Sequence, residues 1–203
     1  MSPKLLKRFI ILMALFTAVM VIGSDVLRQW AERPPGDMET ELGTLRLEDK
    51  LYDEAMAYYD KALELAPKHR GAMMGRALVH IQTERYQNAL AELTDLIAFL
   101  KNNPSQLDAT GRGVLAAAHA NRGIVHDRMG SYRKALDDYV ESLKTDEDSV
   151  SGPGVIHKIL YGGEHVSSVR KRARYIYEQL QKPEAERLMR VPEIDALQRM
   201  HRP

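Results

Sequence analysis

One phrase recurs along this chain and limits what it can fold into. Residues 52–67 read YDEAMAYYDKALELAP, and residues 132–146 read YRKALDDYVESLKTD. The repeated alanines are Ala55, Ala89, Ala135 and Ala173, at intervals of 34, 46 and 38 residues. Tyr52, Tyr86 and Tyr132 each stand three residues before their alanine. At four and seven residues after it come Tyr59 and Ala62, Leu93 and Leu96, Tyr139 and Ser142, and Tyr177 and Leu180. Steps of four and three follow one face of a helix. The small alanine lets a partner helix come close, and the larger residue one turn on fills the space beyond it. Gly43, Ala77 and Gly123 each lie 12 residues before their alanine, where the two helices of a pair would cross tightly. Pro67 and Pro104 follow the second helices of the first two copies and would end them. A unit of this kind has an apolar face that it cannot cover alone. Stacking the next copy covers it, so the phrase must return.

Over residues 36–150 this pattern resembles the tetratricopeptide repeat family. The first copy carries Gly43, Ala55, Tyr59, Ala62 and Pro67 of the family pattern, and the third carries Gly123, Ala135 and Tyr139. The second copy is weaker, with Ala77, Ala89, Leu93 and Leu96, and KNNPSQLDATGRG intervenes after Leu100. The expected fold is an all-α solenoid of three to four helix-turn-helix repeats, over about 38–69, 70–103 and 108–148. Residues 151–203 would hold a degenerate fourth unit and a capping tail. In that unit Pro153 to Tyr161 would form a short first helix and Val166 to Lys182 the second.

The front of the chain has a different character. KLLKR at residues 4–8 precedes FIILMALFTAVMVIG, which runs from Phe9 to Gly23 without a charge. Basic residues before an unbroken apolar run mark a signal or a membrane anchor. Residues 5–27 read as an uncleaved transmembrane helix within a first segment 1–30. Lys7 and Arg8 would snorkel, and Trp30 would sit at the interface. ERPPGD would be a short stiff linker to residue 37. The Lys/Arg bias keeps the amino terminus in the cytoplasm and places the repeats outside, in the periplasm if this is a bacterial inner membrane. The alternative is a secreted periplasmic adaptor with a cleaved signal.

The resemblance also implies where partners bind. Relatives expose the first helix of each pair on a concave face. The matching places are Leu47 in the first unit, Met74, Leu78, Ile81 and Gln82 in the second, and Asn121, Ile124 and Arg128 in the third. Met74, Leu78, Ile81 and Ile124 would form an exposed apolar stripe. Thr40, Thr44, Ala117, Ala120 and Asp127 would flank them. Some relatives grip a partner's C-terminal carboxylate with Lys, Asn and Arg side chains on these helices. Asn121 matches that asparagine, but Thr40, Thr44 and Gly75 supply no cation, so no such clamp is expected. Asn121 could still pair with a partner's backbone. The tail EIDALQRM offers Ile194, Leu197 and Met200 on one helical face, which could fill the groove from within.

Little else points to chemistry. The chain has no cysteine, which removes disulfides, thiolate metal sites and thiol nucleophiles. A net charge of +1, with an acidic middle and basic ends, argues against nucleic acid. SGPG and YGG lack the strand and Lys-Ser/Thr of a phosphate loop and read as turns. His80, His119 and His126 fall at interhelix places, and a histidine-based metalloenzyme is the weaker alternative. Asp137 and Asp138 read as a solvated face. Arg170, Lys171, Arg172 and Arg174 read as the wet side of a helix whose dry side is Val169, Ala173, Tyr177 and Leu180. The alternative reading is a basic docking patch for an acidic partner or lipid headgroups. The expectation is a scaffold without catalysis, cofactor or small-molecule substrate, holding a subunit of a membrane complex.

Overall fold

The computed structural model describes residues 7–8, 10–21, 33–146, 169–191, 195 and 200–201. Among the described residues seven α-helices follow one another in the body: α1 (Asp37–Glu48), α2 (Tyr52–Leu65), α3 (Arg70–Gln82), α4 (Tyr86–Asn102), α5 (Ala109–Arg128), α6 (Tyr132–Thr145) and α7 (Val169–Leu180). They pair as α1 with α2, α3 with α4 and α5 with α6. First helices also touch along the stack, α1 on α3 and α3 on α5, so they form an inner layer. The architecture is an all-α solenoid, and among the described residues there is no strand.

The predicted register is the packing register. Ala55, Ala89 and Ala135 are fully buried, as are Leu93 and Leu96, and Tyr59 and Tyr139 are 1% exposed. Gly43 and Gly123 lie against the rings of Tyr59 and Tyr139, where an added Cβ would come within 2.7 Å of ring carbon. Tyr59 also presses on Gly75 of the next pair, where a Cβ would come within 2.3 Å. One ring therefore holds its own pair together and docks the following one. Arg76 adds a second clasp between pairs. It reaches Asp60 on α2 at 3.1 Å and Glu92 on α4 at 2.6 Å.

The turns inside the pairs repeat as closely as the helices do. Lys50, Glu84 and Gly130 each stand five residues before the alanine and all have positive φ, at 61°, 57° and 77°. The next amide donates back into the helix: Leu51 to Arg46 at 2.9 Å, Arg85 to His80 at 2.8 Å and Ser131 to His126 at 2.8 Å. A left-handed residue after a helix, with that backward bond, satisfies carbonyls the helix end would leave open. Between pairs, His69 caps α3. Its Nδ1 accepts the Ala72 amide at 3.2 Å, which leaves Nε2 as the donor to Asp37 at 2.7 Å.

The long interval between Ala89 and Ala135 has a simple cause. α4 has 17 residues and α5 has 20, against 14 and 12 for their first-pair counterparts α2 and α1. A 3-10 turn at Pro104–Gln106 joins them. Asp108 caps α5 through the Gly111 amide at 2.6 Å, and Arg70 of α3 fastens the insert through Asp108 at 3.1 Å.

The fourth unit departs from expectation. Its proposed first helix lies outside the described residues. Its second helix, α7, packs on α6, but its buried face is Val169, Arg172, Ala173, Ile176 and Gln179. Tyr177, assigned to the dry side, is 56% exposed. The face is rotated because Ile176, not Tyr177, enters the cluster of Ala120, Ile124 and Tyr139.

At the front, residues 10–21 are helical, and Ile10, Leu12, Leu15, Phe16 and Val19 are exposed. Among the described residues no helix is long and apolar enough to cross a membrane. The rest of the expected span 5–27 falls largely outside the described residues.

Candidate partner-binding face

The expected stripe lies where the register puts it, on the inner helices, but it is covered. Leu47, Met74, Leu78, Ile81 and Ile124 are at most 3% exposed. Ala117, Ala120 and Asp127 are buried as well, while Thr40 and Thr44 are half-buried and hydrogen-bonded. Gln82 is exposed and Arg128 partly so. The expectation of an open apolar wall is therefore corrected. Neighbouring helices enclose much of it, and the end of the chain seals part of the rest.

Met200 packs on the core cluster that contains Met74 and Leu78. Beside it, Asn121 holds the main chain of His201 at both ends. Asn121 Nδ2 donates to the His201 carbonyl at 2.7 Å, and the His201 amide donates to Asn121 Oδ1 at 2.8 Å. Asn121 is fully buried and also lies 3.5 Å from Met74 Sδ. The backbone partner foreseen for Asn121 is thus this chain's own tail. Burial lowers the His201 pKa to about 4, so its ring is neutral in place. Ile194 and Leu197 of the tail lie outside the described residues.

The basic cluster divides. Arg170, Lys171 and Arg174 are exposed on α7. Arg172 is not a docking cation: it is 4% exposed and joined to Asp127 of α5 by two bonds, at 2.6 and 2.7 Å. It also donates to the Met189 carbonyl at 3.2 Å and lies 3.2 Å from Asp195. Burial alone would lower the pKa of this guanidinium, but the Asp127 carboxylate outweighs it and holds the value above normal. Tyr139 donates its hydroxyl to Asp127 at 3.2 Å. Burial, then the Asp127 charge, keeps the Tyr139 pKa well above the phenol range, so it stays a donor. A lone Arg in an RKRAR run gives no sequence signal of burial, because its acidic partner is 45 residues away.

Asp138 corrects the reading of a solvated acidic pair. Asp137 is exposed, but Asp138 is 5% exposed and faces α5. It accepts from Arg122 at 2.7 and 2.9 Å and pairs with His119 Nδ1 at 3.0 Å. Burial would raise the carboxyl's pKa, but the hydrogen bonds from His119 and Arg122 prevail and hold it low. His126 lies 3.9 Å from the same carboxylate. Burial, with Arg122 and Lys134 nearby, depresses the His126 pKa against the pull of Asp138. His80 is depressed by burial and by Arg76 and Arg85. Among the described residues, no group of three or more His, Asp or Glu is placed to hold a metal ion.

Residues 46–111 match the tetratricopeptide repeat family. They run from the end of α1 through α4 to the first turn of α5. Among solved structures, the chain is similar to the TPR domain of Arabidopsis OM64, at 18% identity and a TM-score of 0.49, over 69% of this chain and 94% of that one. No curated protein sequence matches the chain.

Proposed function

We propose that this tetratricopeptide-repeat chain is a scaffold that holds a protein partner at a membrane. The observation that carries the reading is the seat at Asn121. The inner face already accommodates a polypeptide segment, gripping its backbone with both ends of one amide and its side chain on an apolar wall. Backbone pairing gives affinity without dictating sequence, and the neighbouring wall adds selectivity. The buried charges at Asp138 and Arg172 serve as ties between helices, which fits a surface built for contact.

The membrane half of the reading rests on residues 9–23. That run is apolar without a break and follows Lys4, Lys7 and Arg8, and its described residues 10–21 are exposed, so lipid is its natural surroundings. We place the amino terminus in the cytoplasm and the repeats on the far side, in the periplasm if the membrane is a bacterial inner one. Tethering confines both molecules to one plane and raises the partner's effective concentration. A subunit of a membrane complex is the natural client, with the chain acting in its assembly or stabilisation.

A photo-crosslinker at Gln82, on the inner helix α3, tests this in native membranes. A discrete adduct from Gln82 and none from Gln87 on the outer helix α4, with the chain retained after a carbonate wash, is the expected result. Recovery in the soluble fraction with equal or no labelling from both positions would overturn it. Intact mass lacking the first 23 residues would make the scaffold a released one.

A further inference from the structure

The tail returns along the surface that a partner would need. After α7, the Leu188 amide donates to Gln179 at 3.0 Å, and Arg172 takes the Met189 carbonyl. Arg190 donates to the carbonyl of Arg128 at the end of α5. Asp195 then lies 3.2 Å from Arg172 and 3.9 Å from Arg190. Its amide closes a helical turn on Val191 at 2.8 Å. By residue 201 the chain has reached Asn121, two helical turns back along α5. Arg190 and His201 are thus tied to points two helical turns apart on α5, in the reverse order of that helix.

Among the described residues of the tail, two side chains define the pattern of the contact with the inner face. One is a carboxylate, which meets Arg172, already paired with Asp127. The other is the apolar Met200 five residues later, which packs on the core cluster of the first three helix pairs. The grip at Asn121 and Arg172 is on main-chain atoms and does not depend on the tail's side chains, while Arg190 adds a side-chain bond to the Arg128 carbonyl. A ligand recognised in this way is defined by a short pattern, and this chain carries one copy of it in cis.

We propose that the tail is a resident ligand of the inner face, and that a protein partner enters by displacing it with a segment of the same pattern, a carboxylate followed five residues on by an apolar residue. The proposal rests on the scaffold reading and names its ligand and its gate. A tethered segment competes at an effective concentration near the millimolar range, so a partner arriving from solution binds only as far as it outcompetes the tail. A partner fixed in the same membrane is raised toward that concentration, and a free acidic peptide is not.

The test uses the full chain in detergent and a labelled synthetic peptide of residues 190–203, read by fluorescence anisotropy. The chain variant Asp195→Asn/Met200→Ala loosens the tail in cis and leaves Asn121, Arg172 and the helices intact. The peptide is expected to bind this variant at least tenfold more tightly than the unaltered chain. The same peptide carrying both substitutions should lose at least tenfold, and adding Asn121→Leu to the variant chain should do likewise. Equal affinity for both chains, or no binding to the variant, overturns the proposal. So does undiminished binding of the substituted peptide. Hydrogen exchange on the unaltered chain gives a readout independent of any variant. The His201 amide should be protected, and saturating peptide should expose it; an unprotected amide counts against the latch. Peptide binding that behaves as described, with no adduct from Gln82 in membranes, would refute the scaffold reading and leave the latch standing.

Discussion

Two tyrosines occupy the same place in the first and third helix pairs, and their surroundings show what the repeat was modified to do. Tyr59 and Tyr139 are equally buried, and each ring rests on a glycine 16 positions earlier. The rings follow from the repeat and the hydroxyls do not. Tyr59 meets the neutral hydroxyl of Thr44 at 3.2 Å. Tyr139 donates to Asp127, a carboxylate locked to the buried Arg172, which in turn reaches Asp195 of the tail. The same packing unit is a plain joint at one end of the stack and the root of a charged network at the other. A buried ion pair is seldom the cheapest way to hold helices together. This one ties α5 to α7 and the tail, where it would fix their relative position.

Removing one partner from each site should break the comparison most sharply. Asp127→Ala leaves Arg172 buried without its main counter-charge, and truncating one member of such a pair costs about 3–5 kcal/mol. Thr44→Ala removes one neutral hydrogen bond and should cost about 0.5–1.5 kcal/mol. Urea unfolding of the full chain in detergent, followed by circular dichroism, measures both. Equal losses would mean that the Arg172–Asp127 pair is no more than a surface contact.

The shared part of the two sites should respond alike. Gly43→Ala and Gly123→Ala each drive a methyl into a buried tyrosine ring, and overpacking of that kind costs about 1–3 kcal/mol even as alanine favours the helix. Gly75→Ala should cost more than either, since its Cβ would come within 2.3 Å of Tyr59, which is held from both sides. The same melts rank the three. A tolerated Gly75→Ala would show that the pairs can slide past one another.

Removing the two hydroxyls sharpens the contrast with less disruption. Tyr139→Phe deletes a bond to a charged group, worth about 1.5–3 kcal/mol, and Tyr59→Phe a neutral one, worth about 0.5–1.5 kcal/mol. Only the first should also loosen α7, seen as faster hydrogen exchange in residues 169–180. Matching exchange in both variants would sever the Tyr139 hydroxyl from the docking of α7.

These sites also mark how far the sequence could be read. The alanines, the tyrosines and the glycines at their fixed spacing gave the helix pairs and their order, because each is a local packing demand that returns with the period. The left-handed turns at Lys50 and Glu84 follow the same period but carry no glycine, so only Gly130 announces one. Asn121 was legible as a backbone-binding residue, and its partner was not, because the contact spans 80 residues. Burial of Arg172 and Asp138 was hidden for a related reason. A charge run looks solvated until the opposite charge that neutralises it is known, and here each lies on another helix. The same ignorance misassigned Tyr177, since a face judged by spacing alone rotates when an arginine is drawn inward.

The smallest effect concerns pH, and it separates the tail from the body it covers. The free His201 ring titrates near 6.5, and the seated ring near 4, because the seat strips it of water. Between those values the released tail binds more protons than the seated one, so the seat is at full strength above about 6.5 and weakens as pH falls toward 4. The change favours release of a short segment and leaves the helix pairs folded, so it shows as local opening of the tail before it shows in global unfolding. His80 and His126 are also depressed and push the same way, but they lie in the stack and act on its unfolding. Magnetic resonance of the His201 ring distinguishes the two sources. In the unaltered chain its midpoint should sit near 4, and Asn121→Leu should return it toward 6.5 while the midpoints of His80 and His126 stay put. A normal His201 midpoint in the unaltered chain would mean that the ring is in water and the tail is not seated as described.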